Sequence, residues 1–273
     1  MLPDSTLRSR RRLLLAGAAV LLPTSPRAAP AEDAPFGGDP YGSLQWPELR
    51  KEFLGRDARA AFDPRVVVRG PAFAEDPMNV PIGVSAEGLQ DVERIVVLVD
   101  RNPIRKVLDS EPLAAATRPA LSFRFKLEQA SPVRAAVLTR DGLWHLGGTV
   151  VESSGGGCTV PGATRRDGSW TQTLGQVRGR LFEGGAGTFD GAAARLRVRV
   201  MHPMDTGLAA GIPAFYLRQL SVHEAGGAEL LRLATWEPVS ENPVFSFDFR
   251  RRPSGPFRIT GVDNNGNRIE GRL

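Results

Sequence analysis

The chain has 273 residues, with 35 basic against 30 acidic side chains, 30 glycines, 22 prolines and a single cysteine. Five arginines and one aspartate fall in residues 1–31, which leaves 30 basic against 29 acidic residues beyond them and no net basic footprint for nucleic acid. A lone cysteine rules out a Cys-x-x-Cys redox motif and a resolving partner for a catalytic thiol.

The first predicted element is an export signal. Ser9-Arg10-Arg11-Arg12 leads into an apolar run, Leu13 to Leu22, followed by the small-x-small sequence Ala29-Pro30-Ala31. The run is half the length of a membrane span, and the paired arginines favour the twin-arginine route, so residues 1–31 read as a cleaved signal and the mature protein as periplasmic, with no membrane attachment. A helix is predicted over Ser43 to Gly55, with Ser43 as N-cap and Leu44, Leu49 and Phe53 near one face. Period-two patterns follow: Val80, Ile82 and Val84, then Leu121, Phe123, Phe125 and Leu127. Val66–Val68, Ile95–Val99, Val133–Thr139 and Trp144–Val151 add short strands between Pro-, Gly- and Asp-rich turns, the mark of a β-sandwich over residues 63–152.

Residues 153–192 break the pattern and read as an arm plus linker, with a short helix predicted around Leu174 to Phe182. Strands resume over residues 193–273: Arg195–Val200, Leu217–Val222, Leu230–Trp236, Phe245–Phe249 and Phe257–Val262. Each half has a tight turn between strands, Asp141-Gly142 and Asn265-Gly266. The fold class expected is all-β, two immunoglobulin-like sandwiches in tandem behind a helical segment at 32–62.

Cys158 follows Gly155, Gly156 and Gly157 in the arm. A group carried covalently between enzymes needs a nucleophile, a tether and no machinery to discharge it early. The seven steps from Val151 to Cys158 extend about 23 Å at ~3.3 Å per residue, and glycines keep such a tether loose. Residues 153–162 are therefore expected to be mobile, with the thiol exposed. No histidine flanks Cys158 and the nearest cations in sequence are Arg165 and Arg166, so thiol activation is assigned to a partner enzyme. The competing readings are a buried apolar cysteine, disfavoured by the three glycines, a disulfide between two copies, and a catalytic thiol. His145, His202 and His223 match no metal-ligand spacing and are given structural roles; no metal or cofactor is expected. Arg250-Arg251-Arg252 reads as a solvated loop, and Gly184-Gly185 and Gly226-Gly227 as turns.

Three segments in order, Met201-His202-Pro203-Met204-Asp205-Thr206-Gly207-Leu208, Ile212-Pro213-Ala214 and Ser240-Glu241-Asn242-Pro243-Val244-Phe245-Ser246-Phe247, resemble SoxZ of the bacterial thiosulfate-oxidation system. Asp100-Arg101-Asn102-Pro103 and a glycine-rich cysteine after the last strand of the first half resemble SoxY. The whole is similar to fused SoxYZ-like carriers associated with quinoprotein dehydrogenases. The resemblance implies a non-enzymatic periplasmic carrier of a sulfur-containing group on Cys158, serving sulfur-oxidising enzymes or a quinoprotein dehydrogenase. The alternative is an accessory or assembly module for such a dehydrogenase, its thiol incidental. One departure stands out: the SoxY cysteine lies in a C-terminal Gly-Gly-Cys-Gly-Gly tail, whereas Cys158 is internal, which makes its carrier segment a loop.

Overall fold

A computed structural model describes residues 38–168, 170–184 and 191–273; the expected signal at 1–31 lies outside the described residues. The first half begins with helix α1 (Trp46–Phe53) and strands β1 (Arg59–Phe62), β2 (Val67–Arg69), β3 (Phe73–Ala74), β4 (Val80–Ser85) and β5 (Val92–Val99). It continues with β6 (Lys106–Pro112), β7 (Thr117–Phe125), β8 (Ser131–Thr139) and β9 (Leu143–Ser153). Two short helices, α2 (Ala163–Asp167) and α3 (Trp170–Thr173), precede β10 (Val177–Glu183) and β11 (Ala194–Val200). The second half closes with β12 (Leu217–His223), β13 (Glu229–Thr235), β14 (Val244–Phe249), β15 (Arg258–Asp263) and β16 (Arg268–Arg272).

The fold is all-β and built from immunoglobulin-like sandwich halves, but the halves are not beads on a linker. Both sheets run through the junction. One has ten strands, in the order β1-β9-β8-β5-β6-β13-β12-β15-β16 with β3 added against β9; the other has six, β10-β11-β14-β7-β4-β2. Antiparallel pairing of β13 with β6 (Leu231↔Pro112, Leu233↔Ser110) and of β14 with β7 (Ser246↔Ser122, Phe247↔Leu121) makes the two seams. Each half thus covers sheet edges that would be open on the other. The apolar core is correspondingly continuous, from Ile82, Val97 and Phe123 to Phe245, Phe247 and Ile259.

A second core explains the unbroken run Ile95–Val99. Helix α1 lies on the outer face of the ten-stranded sheet and packs Trp46 and Leu49 against Val96, Leu98, Ala136 and Trp144, so β5 and β8 are buried on both faces. Beneath α1, Arg134 is fully buried between two carboxylates, 2.6 Å from Asp39 and 2.7 Å from Asp100, and its guanidinium lies 4.3 Å from the Trp46 ring centroid.

Several expectations are corrected. The helix starts at Trp46, not near Ser43: Gln45 is the N-cap, Ser43 donates its N–H to Asp39, and Leu44 is exposed while Trp46 takes the buried position. The helix expected over Leu174–Phe182 is a strand, β10, because Val177 and Leu181 alternate with Arg178 and Arg180 and pair in register with β11. It lies inside the stretch read as arm and linker and forms the edge of the six-stranded sheet. Strand β6 was not anticipated; its Asp109 and Ser110 are polar yet buried, which hides a strand pattern. The turn glycines fit their assignments, with Gly142 at φ +77° and Gly266 at φ +87°.

Candidate functional site around Cys158

Cys158 is fully buried, and this overturns the expectation of an exposed thiol on a mobile arm. The glycines that precede it serve close approach instead of freedom. Gly155 and Gly156 turn the chain back from the end of β9 with φ +94° and +85°. A Cβ on Gly157 would lie 2.4 Å from the Pro77 carbonyl oxygen and 2.5 Å from that of Leu127, so only glycine lets the segment lie against that backbone. Cys158 N–H donates to Glu128 Oε2 at 2.8 Å and Thr159 Oγ1 donates to Glu128 Oε1 at 3.0 Å, a two-pronged clamp by one carboxylate. The thiol donates to the Lys126 carbonyl at 3.6 Å, and Thr206 Oγ1 donates to the Cys158 carbonyl at 2.6 Å. Hydrogen bonds and tight packing thus offset the backbone entropy that a glycine run loses on ordering.

The pocket wall comes from both halves. On the first, Asn102 Nδ2 donates to the Lys126 carbonyl at 2.7 Å while its Oδ1 accepts from Glu128 N–H at 2.8 Å, so one amide braces both residues that hold Cys158. On the second, the Met204 carbonyl accepts a hydrogen bond from the buried Lys126 ammonium. Met204 has φ +51°, rare for a non-glycine residue, and its N–H donates to His202 Nδ1 at 3.1 Å. That bond makes Nδ1 the acceptor and puts the proton of a neutral His202 on Nε2, 3.5 Å from Asp263. The segment after the cysteine is tied down as well: Thr164 donates its N–H and hydroxyl to Glu241, and Arg165 Nε donates to Asp205 at 2.9 Å.

Burial and the Glu128 carboxylate push the Cys158 thiol up to about 12, against the opposing pull of Lys126. Burial likewise lowers Lys126, with Cys158, Asp205 and Glu241 acting the other way. In this arrangement the sulfur is a neutral, shielded thiol and a poor nucleophile. Sequence reasoning named Arg165 and Arg166 as the nearest cations, but Arg165 is engaged with Asp205 and the Trp170 ring, and Lys126 holds the place beside the thiol. Lys126 was missed because the alternation from Leu121 to Leu127 puts it on the solvent side; β7 ends at Phe125, and the second half covers the position, with Lys126 N–H donating to the Pro238 carbonyl and its ammonium to that of Met204. His145 is engaged with Asp63 at 2.8 Å and His223 closes β12, so neither joins His202.

The residues gathered here are those that distinguish the sequence: Asn102 from one half; Met204, Asp205, Thr206 and Glu241 from the other. Residues 50–158 match the family model of the sulfur oxidation protein SoxY, and residues 186–273 match that of the sulphur oxidation protein SoxZ. The chain is a fused SoxYZ-like protein. The SoxY match ends on Cys158 itself. Among solved structures, the chain is similar to the sulfur carrier protein SoxY from Chlorobium limicola f thiosulfatophilum, at 15% identity over 40% of this chain and 96% of that one, with a TM-score of 0.36. No curated protein sequence matches the chain. Membership of the two families assigns the protein a role in sulfur oxidation.

Proposed function

We propose that this protein is a periplasmic covalent carrier that holds a sulfur-containing group on Cys158 and presents it to partner redox enzymes without catalysing a step itself. The observation that carries the reading is convergence: the residues that mark both families close around the only cysteine of the chain.

The closed seat of Cys158 then corresponds to a resting state, and loading requires the segment to leave it. Joining the thiol to thiosulfate forms one sulfur–sulfur bond, releases one proton and passes two electrons to an acceptor in the partner enzyme. The carrier has no second cysteine to take those electrons, so the oxidant must be the partner's redox centre. Discharge by hydrolysis is likewise left to a partner, which suits a carrier that shields its sulfur when undocked from enzymes.

The test is intact-mass spectrometry on protein purified from its native host during growth on thiosulfate, with and without reduction. A reducible added mass that maps to Cys158 is expected, together with loss of oxidation in a Cys158→Ser strain at normal protein level. A strain with the serine variant that oxidises as well as wild type would refute the carrier reading. That outcome would favour the second reading, an accessory module for a quinoprotein dehydrogenase, which the complete burial of Cys158 motivates.

A further inference from the structure

The outer face of the six-stranded sheet is an arginine surface that crosses the seam between the halves. Arg195, Arg197 and Arg199 point outward from β11, Arg124 from β7 and Arg69 from β2, around a trough of about 860 Å³. The floor of the trough is made of small residues: Ser246, Ser122 and Gly83 sit side by side in register between Arg197 and Arg69. Glu241 is the one carboxylate among the described lining residues, and Asp248 nearby pairs with Arg195.

Two cross-strand pairs on the same face place like charges directly opposite: Arg178 faces Arg199 and Arg180 faces Arg197. Such pairs destabilise a sheet, so packing gives no reason for them. Phe182 gathers two of these cations, with Arg180 5.1 Å and Arg197 5.5 Å from its ring centroid. The Arg180 and Arg197 guanidinium groups are therefore held side by side before any ligand arrives, and an anionic partner is what would turn the repulsion into binding.

Spacing decides the kind of anion. Four strand-to-strand steps separate β11 from β2, roughly 19 Å at ~4.8 Å per step. A single sulfur oxyanion cannot bridge that distance, whereas a row of carboxylates on a protein surface can. We propose that this face docks an acidic surface of a partner protein. The near neutrality of residues 32–273 makes the concentration of charge on this one face a local feature and not a reflection of overall charge. The rim of the trough also leads to Cys158: Ser240 Oγ donates to the Met78 carbonyl at 2.7 Å, one residue from the Pro77 carbonyl against which Gly157 packs, and Glu241 holds Thr164. A partner seated there lies beside the cysteine segment. The inference stands whatever Cys158 carries.

The test uses poly-L-glutamate as the probe, with binding followed by fluorescence anisotropy at 50 and 200 mM NaCl. Wild type is expected to bind, more weakly at the higher salt. The double variant Arg197→Ser/Arg199→Ser should bind at least ten-fold more weakly while its Tm stays the same or rises, because two repulsive pairs are gone. A control pair on the other sheet, Arg218→Ser/Arg268→Ser, should stay within two-fold of wild type. Unchanged binding by the trough variant, or an equal loss in the control, overturns the proposal. So does complete displacement of the polymer by millimolar thiosulfate, which would reassign the face to small anions, and so does tighter binding of duplex DNA of equal charge.

Discussion

Replacing Glu128 with alanine should release the cysteine segment while the sandwich stays folded. The carboxylate makes two of the bonds that seat the segment, to Cys158 N–H and to the Thr159 hydroxyl. A bond to a charged acceptor contributes about 1.5–3 kcal/mol when shielded, and the Thr159 bond, which is exposed, counts at or below the low end of the neutral range of roughly 0.5–1.5 kcal/mol. The variant should thus shift docking by about 2–3 kcal/mol, or roughly 30- to 150-fold in the opening equilibrium at ~1.4 kcal/mol per factor of ten. Glu128 also raises the thiol, so its removal acts in the same direction on reactivity.

The assay is the rate of maleimide labelling at pH 7.5, compared with the rate after unfolding. A docked thiol with a value of about 12 presents almost no thiolate at that pH, so labelling reports the open fraction. Wild type should label far more slowly than the unfolded chain, Glu128→Ala tens of times faster than wild type, and Glu128→Gln in between, with the same Tm for all three within a few degrees. Wild-type labelling at the unfolded rate, or a Glu128→Ala rate within three-fold of wild type, would refute the reasoning that this clamp closes the site.

Gly157→Ala should open the segment too, since its Cβ meets the Pro77 and Leu127 backbones within 2.6 Å; labelling at the wild-type rate would mean that the glycine is not needed for close approach. Because docking holds the neutral thiol, its stabilisation is present below the free-thiol value of ~8.5 and is lost as pH rises from there toward about 12, by roughly ten-fold per unit; labelling corrected for free-thiolate content should climb across that window, and a flat profile would contradict it. His202 is pushed down to about 4 by burial, so its contribution is present above ~6.5 and lost as pH falls toward 4, by up to ~3 kcal/mol; urea midpoints should drop across this range, and less so in His202→Gln. Arg134→Met strands the buried Asp39 and Asp100 and should cost about 3–5 kcal/mol in urea unfolding, whereas a cost below ~1 kcal/mol would show that the triad is dispensable.

The strands were legible wherever one face meets the core and the other meets water, as in Val80–Val84 and Arg195–Val200, because period two is a local property of the chain. What escaped is what depends on partners far along the sequence. Strand β6 is polar at its centre because it joins one half to the other through β13, and no alternation marks a seam. A glycine run has two uses, freedom or close approach, and the local sequence does not distinguish them; at Gly157 the deciding neighbours, Pro77 and Leu127, lie 80 and 30 residues earlier. The segments that marked the SoxZ resemblance were legible as identity but not as geometry: Met204, Thr206 and Glu241 each hold either Cys158, its lysine neighbour or the chain that follows. That placement bears on how the proposed carrier, with its internal cysteine, would work. A free tail can be withdrawn from any pocket by its open end, whereas a loop anchored at Ser153 and Thr164 must be lifted out through its middle. The bonds from Glu128 and Thr206, at that middle, therefore set the energy needed to lift the sulfur from its seat.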